Sequence, residues 1–467
     1  MPSIKLRRFA WRDPLDVAAH HAERDFAALL LSDGGPEARW SYLVLEPETV
    51  VSLPSGAGAA VGDALRRLLA GPATRIDGGP PFQGGVVGLL AYEAGDAGQG
   101  LELARDPDWP DEVLARARSL LAFDHHAREV VAVGSGADDD EAGQAMARAG
   151  AWLDAGVASA DGAPQTVCGP RLGRPDEPGD DEAGFGSFAP ERSGAAYEAA
   201  VASTVERIGL GELYQANIAR AWGGTLASGV APFDVFRRLV SVSPAPFSAY
   251  LRLPGRALIS HSPERFVRVG PDGRTVETRP IKGTRPRHAD PDRDAALARA
   301  LVESAKDRAE NLMIVDLMRN DLGRVCAPGS VEVSGLCELE SFPHVHHLVS
   351  TVHGRLAPGR DAADLLAATF PPGSITGAPK RAAMQRIAAL EPPRGPWCGS
   401  LFWSGWDGAM DSSVLIRTAA LVQTPGGGWR FRACAGAGIV ADSDPGAERA
   451  ETEDKIAGLR RAFTGRS

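Results

Sequence analysis

Cysteine is scarce in this chain: five in 467 residues, Cys168, Cys326, Cys337, Cys398 and Cys434, an odd and scattered set with no Cys-x-x-Cys pair. That spacing supports neither a disulfide framework nor a zinc ribbon, and predicts reduced, buried thiols. Long apolar runs are missing too. Each is broken by a charge, Gly or Pro before ~18 residues, so no membrane span is predicted. The basic N-terminus, Met-Pro-Ser-Ile-Lys-Leu-Arg-Arg, is not followed by the apolar stretch of a secretory signal, and the expected location is the cytoplasm. Positive charge is in deficit: 50 Lys and Arg face 60 Asp and Glu, a net charge of −10. A nucleic-acid backbone is therefore a poor ligand, while a small anion held by local Arg and Lys is compatible. No repeat of about 20–50 residues appears, which excludes a solenoid.

What is present is an ordinary globular composition, 44% hydrophobic and 24% charged. The length suits about three domain-sized units, or fewer if large sheets build one body. Residues 1–157 form an N-terminal region mixing strand-like runs (27–31, 40–45, 86–90) with a helical stretch at 61–69. Residues 158–193 turn to Gly, Pro and Asp and are predicted to be a linker. Residues 194–467 open with Tyr197, Val201, Val205 and Ile208 at helical spacing, ended by Gly209 and Gly211, and a strand at 213–222 follows. Strands are predicted at 247–253, 257–260, 265–269, 415–422 and 429–434, a long helical region at 291–322, and a terminal helix from Pro445.

The chemistry concentrates in that second part. On the terminal helix, Ile456, Leu459 and Phe463 mark the buried stripe, and at 100° per residue Glu448, Glu451 and Lys455 fall within roughly 80° of it. Two carboxylates and a lysine thus face inward, although the pattern also suits a solvated helix end with an i, i+4 pair, Glu451 to Lys455. A second helix carries Glu303, Asp307 and Glu310 beside the apolar turn 313–318. Carboxylates from two distant helices, with no His or Cys between them, suit a hard ion such as Mg²⁺.

Ser-Ile-Thr-Gly-Ala-Pro-Lys (374–380) lacks the glycine spacing of a phosphate loop. Thr376, Gly377 and the Gly436-Ala437-Gly438 turn could still offer donors or close backbone approach to a carboxylate, and either is equally a plain turn. His344, His346 and His347 are a poor tetrahedral zinc set. One imidazole acting as a hydrogen-bonding group fits better, His347 being best placed because Leu348 and Val349 read as core.

Taken together, Ser-Pro-Glu-Arg-Phe (262–266), Arg-Pro-Ile-Lys-Gly-Thr-Arg-Pro-Arg (279–287), the run 305–325 through Glu-Asn-Leu-Met-Ile-Val-Asp-Leu-Met-Arg-Asn-Asp-Leu-Gly-Arg, Phe-Pro-Pro-Gly-Ser-Ile-Thr-Gly-Ala-Pro-Lys (370–380) and Gly-Ala-Gly-Ile-Val-Ala-Asp-Ser (436–443) resemble the chorismate-utilising enzymes. The resemblance runs in unbroken order over about 194–462, with a weaker N-terminal part that includes Leu-Leu-Leu-Ser (29–32). It implies an α+β fold in which a large two-sheet antiparallel β-sandwich has helices outside and both parts of the chain contribute strands.

Within the family, Pro-Ile-Lys-Gly-Thr (280–284) resembles the aminodeoxychorismate synthase component I branch. Anthranilate synthases carry a small residue where Lys282 stands, and isochorismate and salicylate synthases carry a lysine where this chain has Gln215. The resemblance implies that Glu310 and Glu451, with Glu448 nearby, hold Mg²⁺. It further implies that Gly283, Thr284, His347, Thr376, Gly377, Arg417, Gly436, Ala437, Gly438 and Lys455 bind chorismate. Trp397 stands where relatives often have Tyr.

The implied reaction replaces the C4 hydroxyl of chorismate by an amine through two allylic substitutions, Lys282 being the first nucleophile and Glu264 the acid. An amine nucleophile must shed its proton, and Arg279, Arg285 and Arg287 are near enough in sequence to favour that. No Gly-x-Cys-x-Gly elbow is present, so ammonia is expected from a separate glutamine amidotransferase. The family's N-terminal region can also hold tryptophan, and Ser32, Pro244, Pro246 and Phe247 resemble that pocket. The rivals are anthranilate synthase component I, an isochorismate-type synthase, and a non-catalytic amidotransferase-binding subunit.

Overall fold

The computed structural model describes residues 2–32, 38–53, 58–71, 75–154, 185–242, 245–342 and 345–465. The strands among the described residues form two sheets, many of them buried along nearly their whole length, as in Gly85–Leu90 and Ser119–Asp124, and every pairing is antiparallel. The first sheet has 12 strands. From one edge they run Ser3–Ala10, Glu129–Gly136, Ser119–Asp124, Trp40–Leu45, Ala27–Leu31, Phe247–Leu253, Arg256–Ser262, Thr418–Gln423, Trp429–Ile439, Gln215–Thr225 and Gly377–Ala378, with Ala189–Pro190 beside Gln215–Thr225. The second has 10 strands: Ile281–Pro286, Val345–Arg355, Thr275–Thr278, Arg265–Val269, Met410–Val414, Ser400–Gly405, Gly85–Leu90, Glu112–Ala117 and Thr49–Leu53, with Glu332–Ser341 paired to Val345–Arg355.

Both sheets are shared by the two parts of the chain. In the first, Ala27–Leu31 pairs with Phe247–Leu253, Leu31 opposite Ser248. In the second, Gly85–Leu90 pairs with Ser400–Gly405, Leu90 opposite Ser400. The space between the sheets is filled by Tyr42, Leu120, Leu251 and Leu258 from one and Val87, Leu89, Val113 and Leu401 from the other. Each such side chain contributes about 1.5–3 kcal/mol by leaving water. This is the α+β sandwich expected from the sequence.

Helices cover the outer faces. Helix Pro445–Thr464 buries Ile456, Leu459 and Phe463 against Trp222, Phe236 and Phe431, as its apolar stripe predicted. Helix Ala305–Gly323 buries Ile314, Val315, Met318 and Leu322 against Val352. The predicted helical region 291–322 is in fact two helices, Pro291–Val302 and Ala305–Gly323: Ser304 breaks it by capping the second through Asp307 N. No helix among the described residues is long and apolar enough to cross a membrane.

Residues 158–184 of the predicted linker lie outside the described residues, but 185–193 are anchored. Phe185 is buried with Trp222 and Leu226, Gly186 bridges Leu226, Ala189–Pro190 pairs with Trp222 and Gly223, and Ser193 caps helix Gly194–Gly209. Two phenylalanines in a Gly- and Asp-rich stretch leave little compositional trace, yet each supplies enough apolar surface to pin the backbone.

Candidate active site

Strand Ile281–Pro286 pairs with Val345–Arg355, Lys282 opposite Leu348 and Thr284 opposite His347, with a register shift between them. Gly283 makes that shift at φ +79, and a methyl group there would lie 2.8 Å from Leu301 and 3.0 Å from Asp307. Only glycine fits such a bulge. Beyond it Lys282 Nζ reaches the first sheet, 3.4 Å from where a methyl on Gly438 would stand; the same methyl would be 2.7 Å from Gln215 Nε2. Gly438 thus leaves the space in which lysine and glutamine meet.

Three carboxylates surround this point. Glu264 sits between two strands of different sheets, 7% exposed, its Oε1 accepting a hydrogen bond of 2.7 Å from Ser374. Burial raises its pKa, against the pull of Ser374, Lys282 and Lys455. Glu310 Oε2 is 4.0 Å from Lys282 Nζ, both side chains 17% exposed. Its pKa too is raised by burial, opposed by Lys282 and Lys306 and reinforced by the charge of Glu451. For Glu451 burial is outweighed by Lys455, Lys282 and Lys306, and the pKa falls.

Glu451 and Lys455 pair at 2.6 Å and keep nearly half their side-chain surface open to water. The i, i+4 pair and the inward orientation are therefore both present, because this helix face borders an open cleft. Glu448, one turn earlier, is buried and accepts from Ser443 at 2.7 Å.

The remaining predicted residues fall around the same cleft or behind it. Lys455 Nζ donates to the Gly436 carbonyl at 2.9 Å. Residues 436–438 are not a turn: they belong to strand Trp429–Ile439, and Gly438 lies opposite Asn217. Small residues conceal a strand because they carry no period-two pattern. Gly377, at φ +135, lies opposite Ala216, where a methyl would be 2.1 Å from the Gln215 carbonyl oxygen.

Thr376 departs from expectation. Its hydroxyl donates to the Pro372 carbonyl and its N–H to that of Gly373, so neither donor is free for a ligand. His347 is buried, with Nδ1 2.9 Å from the Thr284 hydroxyl. Burial, then the charge of Arg417, lowers its pKa to about 4, so the ring is neutral near pH 7. Arg417 holds a left-handed backbone at φ +50 and has no acidic partner among the described residues. Protein crowds the guanidinium enough to lower its pKa, yet it remains open to water, an unpaired cation in a cleft.

Gln215 is fully buried and neither atom of its carboxamide has a partner among the described residues. Trp397 is buried with an indole N–H that has no partner among the described residues, its ring edge 3.2 Å from where a methyl on Gly436 would stand. The three arginines expected to help Lys282 do not do so: Arg279 pairs with Glu340, Arg285 with Asp307 and Arg287 with Asp294. Each carboxylate offsets its arginine's field. Sequence reasoning also missed the hydroxyls that orient the acids, Ser374 and Ser443. Serine has no periodic signal, and only the distance identifies its target.

His344 lies outside the described residues, and His346 is held by Asp294 and Ser341. Among the described residues no group of three or more His, Cys, Asp or Glu converges for a metal. Two all-oxygen carboxylates that repel each other, Glu310 and Glu451, nevertheless fit Mg²⁺, which takes one or two carboxylates and completes its shell with substrate and water oxygens.

A cavity of about 650 Å³ lies between the sheets, lined by Ser32, Pro246, Phe247, Arg268 and Trp403 among others. Pro244 lies outside the described residues. None of Lys282, Glu264, Glu310 or Glu451 lines the cavity, but Pro263, Arg265 and Ile281, their chain neighbours, do. Alternation along a strand places the two spaces back to back.

A two-sheet α+β body with an acid- and lysine-lined cleft is the architecture of one enzyme class, and the chain belongs to it: the chorismate-binding enzyme family model matches residues 30–461. Anthranilate synthase component 1 of Streptomyces coelicolor is 39% identical over 466 residues, covering 96% of this chain and 87% of that protein. Aminodeoxychorismate synthase component 1 of Escherichia coli is 39% identical over 450 residues, covering 92% and 91%. Among solved structures, anthranilate synthase component I of Streptococcus pneumoniae superposes with a TM-score of 0.75 at 28% identity, covering 91% of this chain and 93% of that one.

Proposed function

We propose that this chain is the synthase component of an aminodeoxychorismate synthase, converting chorismate and ammonia to 4-amino-4-deoxychorismate. The observation that carries the reading is Lys282, an amine placed by a glycine bulge 4.0 Å from Glu310 and beside Gln215. Relatives bearing either name match at similar identity, so identity alone does not choose between them.

In this mechanism the Lys282 amine attacks C2 of chorismate. The ring double bond shifts, and the C4 hydroxyl leaves as water with the proton of Glu264, an acid whose burial keeps it protonated to higher pH than usual. Ammonia then attacks C4, the double bond returns, and lysine leaves C2. Arg417 and Lys455 supply cationic partners for substrate carboxylates, and neutral His347 a hydrogen-bonding edge. When bound between Glu310 and Glu451, Mg²⁺ would supply electrostatic stabilisation of a substrate carboxylate.

Ammonia from a separate amidotransferase is supported by the relatives' names, the Klebsiella aerogenes and Escherichia coli proteins each being a component 1. Tryptophan as occupant of the 650 Å³ cavity is supported by its aromatic walls and by Arg268, which has no acidic partner among the described residues.

Incubation with chorismate, Mg²⁺ and excess ammonium at pH about 8.5, with products identified by mass spectrometry, tests the assignment. Aminodeoxychorismate is expected; anthranilate, isochorismate or no turnover overturns it.

A further inference from the structure

We infer that Asp321 and Lys380, a buried ion pair outside the cleft, are positioning residues that fix the acid-bearing helix Ala305–Gly323 against the loop that orients Glu264. Lys380 Nζ lies 2.6 Å from Asp321 Oδ2 and 2.6 Å from the Thr369 carbonyl oxygen, and the two side chains are 4% and 1% exposed. No hydrogen bond or ion pair among the described residues joins either one to the Lys282 pocket.

Their placement links its two sides. Glu310 and Asp321 are eleven residues apart. That is about 16 Å along the helix and about 20° around it, so both lie on one face. Lys380 begins the helix that follows directly on Gly377–Ala378, the short strand paired with Gln215 and Ala216. Between these points loop and helix are in contact: a methyl on Gly373 would stand 2.4 Å from Leu317. The next residue, Ser374, donates to Glu264. A slide or rotation of the helix would therefore move Glu310 and shift the hydrogen bond to Glu264 together.

Stability alone does not account for the pair. Desolvating two charges costs nearly as much as their attraction returns, and well-packed apolar replacements of buried pairs are often neutral or stabilising. Here Asp321 Oδ1 has no partner among the described residues, and burial raises the pKa of the aspartate and lowers that of the lysine. What the pair adds over an apolar contact is direction, since an ammonium held by a carboxylate and a carbonyl permits one register.

The inference rests on Glu264 being the acid of the proposed reaction. Its test is the double variant Asp321→Leu/Lys380→Met in the full chain, because either single change would strand a buried charge. The expected result is a folded protein with a melting temperature at or above wild type. Its kcat, read as total chorismate consumed with ammonium, should fall at least about 10-fold, with KM for chorismate within about threefold and the acid limb of the kcat–pH profile displaced. A folded double variant with wild-type kcat and pH profile overturns the inference. Should that variant not fold, Asp321→Asn/Lys380→Gln is measured by the same criteria. Because consumption is scored whatever the product, a different product would overturn the proposed function and leave the positioning test intact.

Discussion

Two clusters of buried or half-buried carboxylates among the described residues stand in contrast. In the N-terminal region Glu93, Asp96, Asp111 and Glu112 are all buried around Arg105, with Arg394 also acting on Glu93. In the cleft Glu264, Glu310 and Glu451 meet Lys282, Lys306 and Lys455. The first is closed by rigid donors: Arg105 bonds Asp96 at 2.8 Å and Asp111 at 3.0 Å, and Glu93 accepts the amides of Arg394 and Gly395. Glu112, one oxygen of which has no partner among the described residues, is pushed by burial and by Asp111 to a pKa of about 8. In the second, lysines replace the arginine fork, the Lys282–Glu310 contact is a loose 4.0 Å, and water has access. Planar forks and backbone amides fix charge in place, whereas an ammonium on a flexible stem can leave its partner for a substrate. The same residue types thus build a joint in one place and a reactive site in the other.

That contrast can be broken from either side. Lys282→Ala should abolish amination, by more than about 10³-fold, while leaving chorismate binding measurable by calorimetry. Glu264→Gln should lower kcat about 10²–10³-fold in steady-state assays and remove the acid limb of the profile, with KM little changed.

In the N-terminal cluster Glu112→Gln should leave kcat alone and change stability instead. Because the folded pKa is raised, the folded chain keeps a proton that the unfolded chain loses near pH 4.5, and stability falls as pH rises from there to about 8. The substitution should therefore stabilise by on the order of 2–3 kcal/mol at pH 8.5 and have no effect at pH 4, read by urea melts at the two pH values. His347 has the opposite sign. With its folded pKa lowered to about 4, its contribution is complete above pH 6.5 and is lost as pH falls from 6.5 towards 4. Replacement by Gln should flatten that part of the stability profile by up to about 2–3 kcal/mol.

Much of the site was legible in the sequence because the family motifs carry it. Lys282, Glu264, Glu310 and Glu451 come together, and the helical arithmetic that turned Glu448 inward agrees with its burial, and that for Lys455 with its hydrogen bond to the Gly436 carbonyl. What was not legible depends on distances across the fold. The arginines beside Lys282 in sequence are drawn off by carboxylates as far away in the chain as Glu340, and the Thr376 donors are used within their own loop. Strand 436–438 reads as a turn because Gly-Ala-Gly has no pattern, and its identity comes only from pairing with 217–219. The two-sheet architecture came through resemblance; periodicity gave individual strands but not their order.

That order carries a consequence for how the protein is made. On the ribosome, strands Ala27–Leu31 and Gly85–Leu90 emerge long before their neighbours Phe247–Leu253 and Ser400–Gly405. At about 5–20 residues per second, the partner of Gly85–Leu90 follows by roughly 15–60 s. Through that interval a nascent chain carries two unpaired, apolar strand edges, the feature most prone to pair with another chain. Polypeptides released early should aggregate rather than persist as a folded N-terminal piece, and the yield of active enzyme should rise when translation is accompanied by a chaperone that shields those edges.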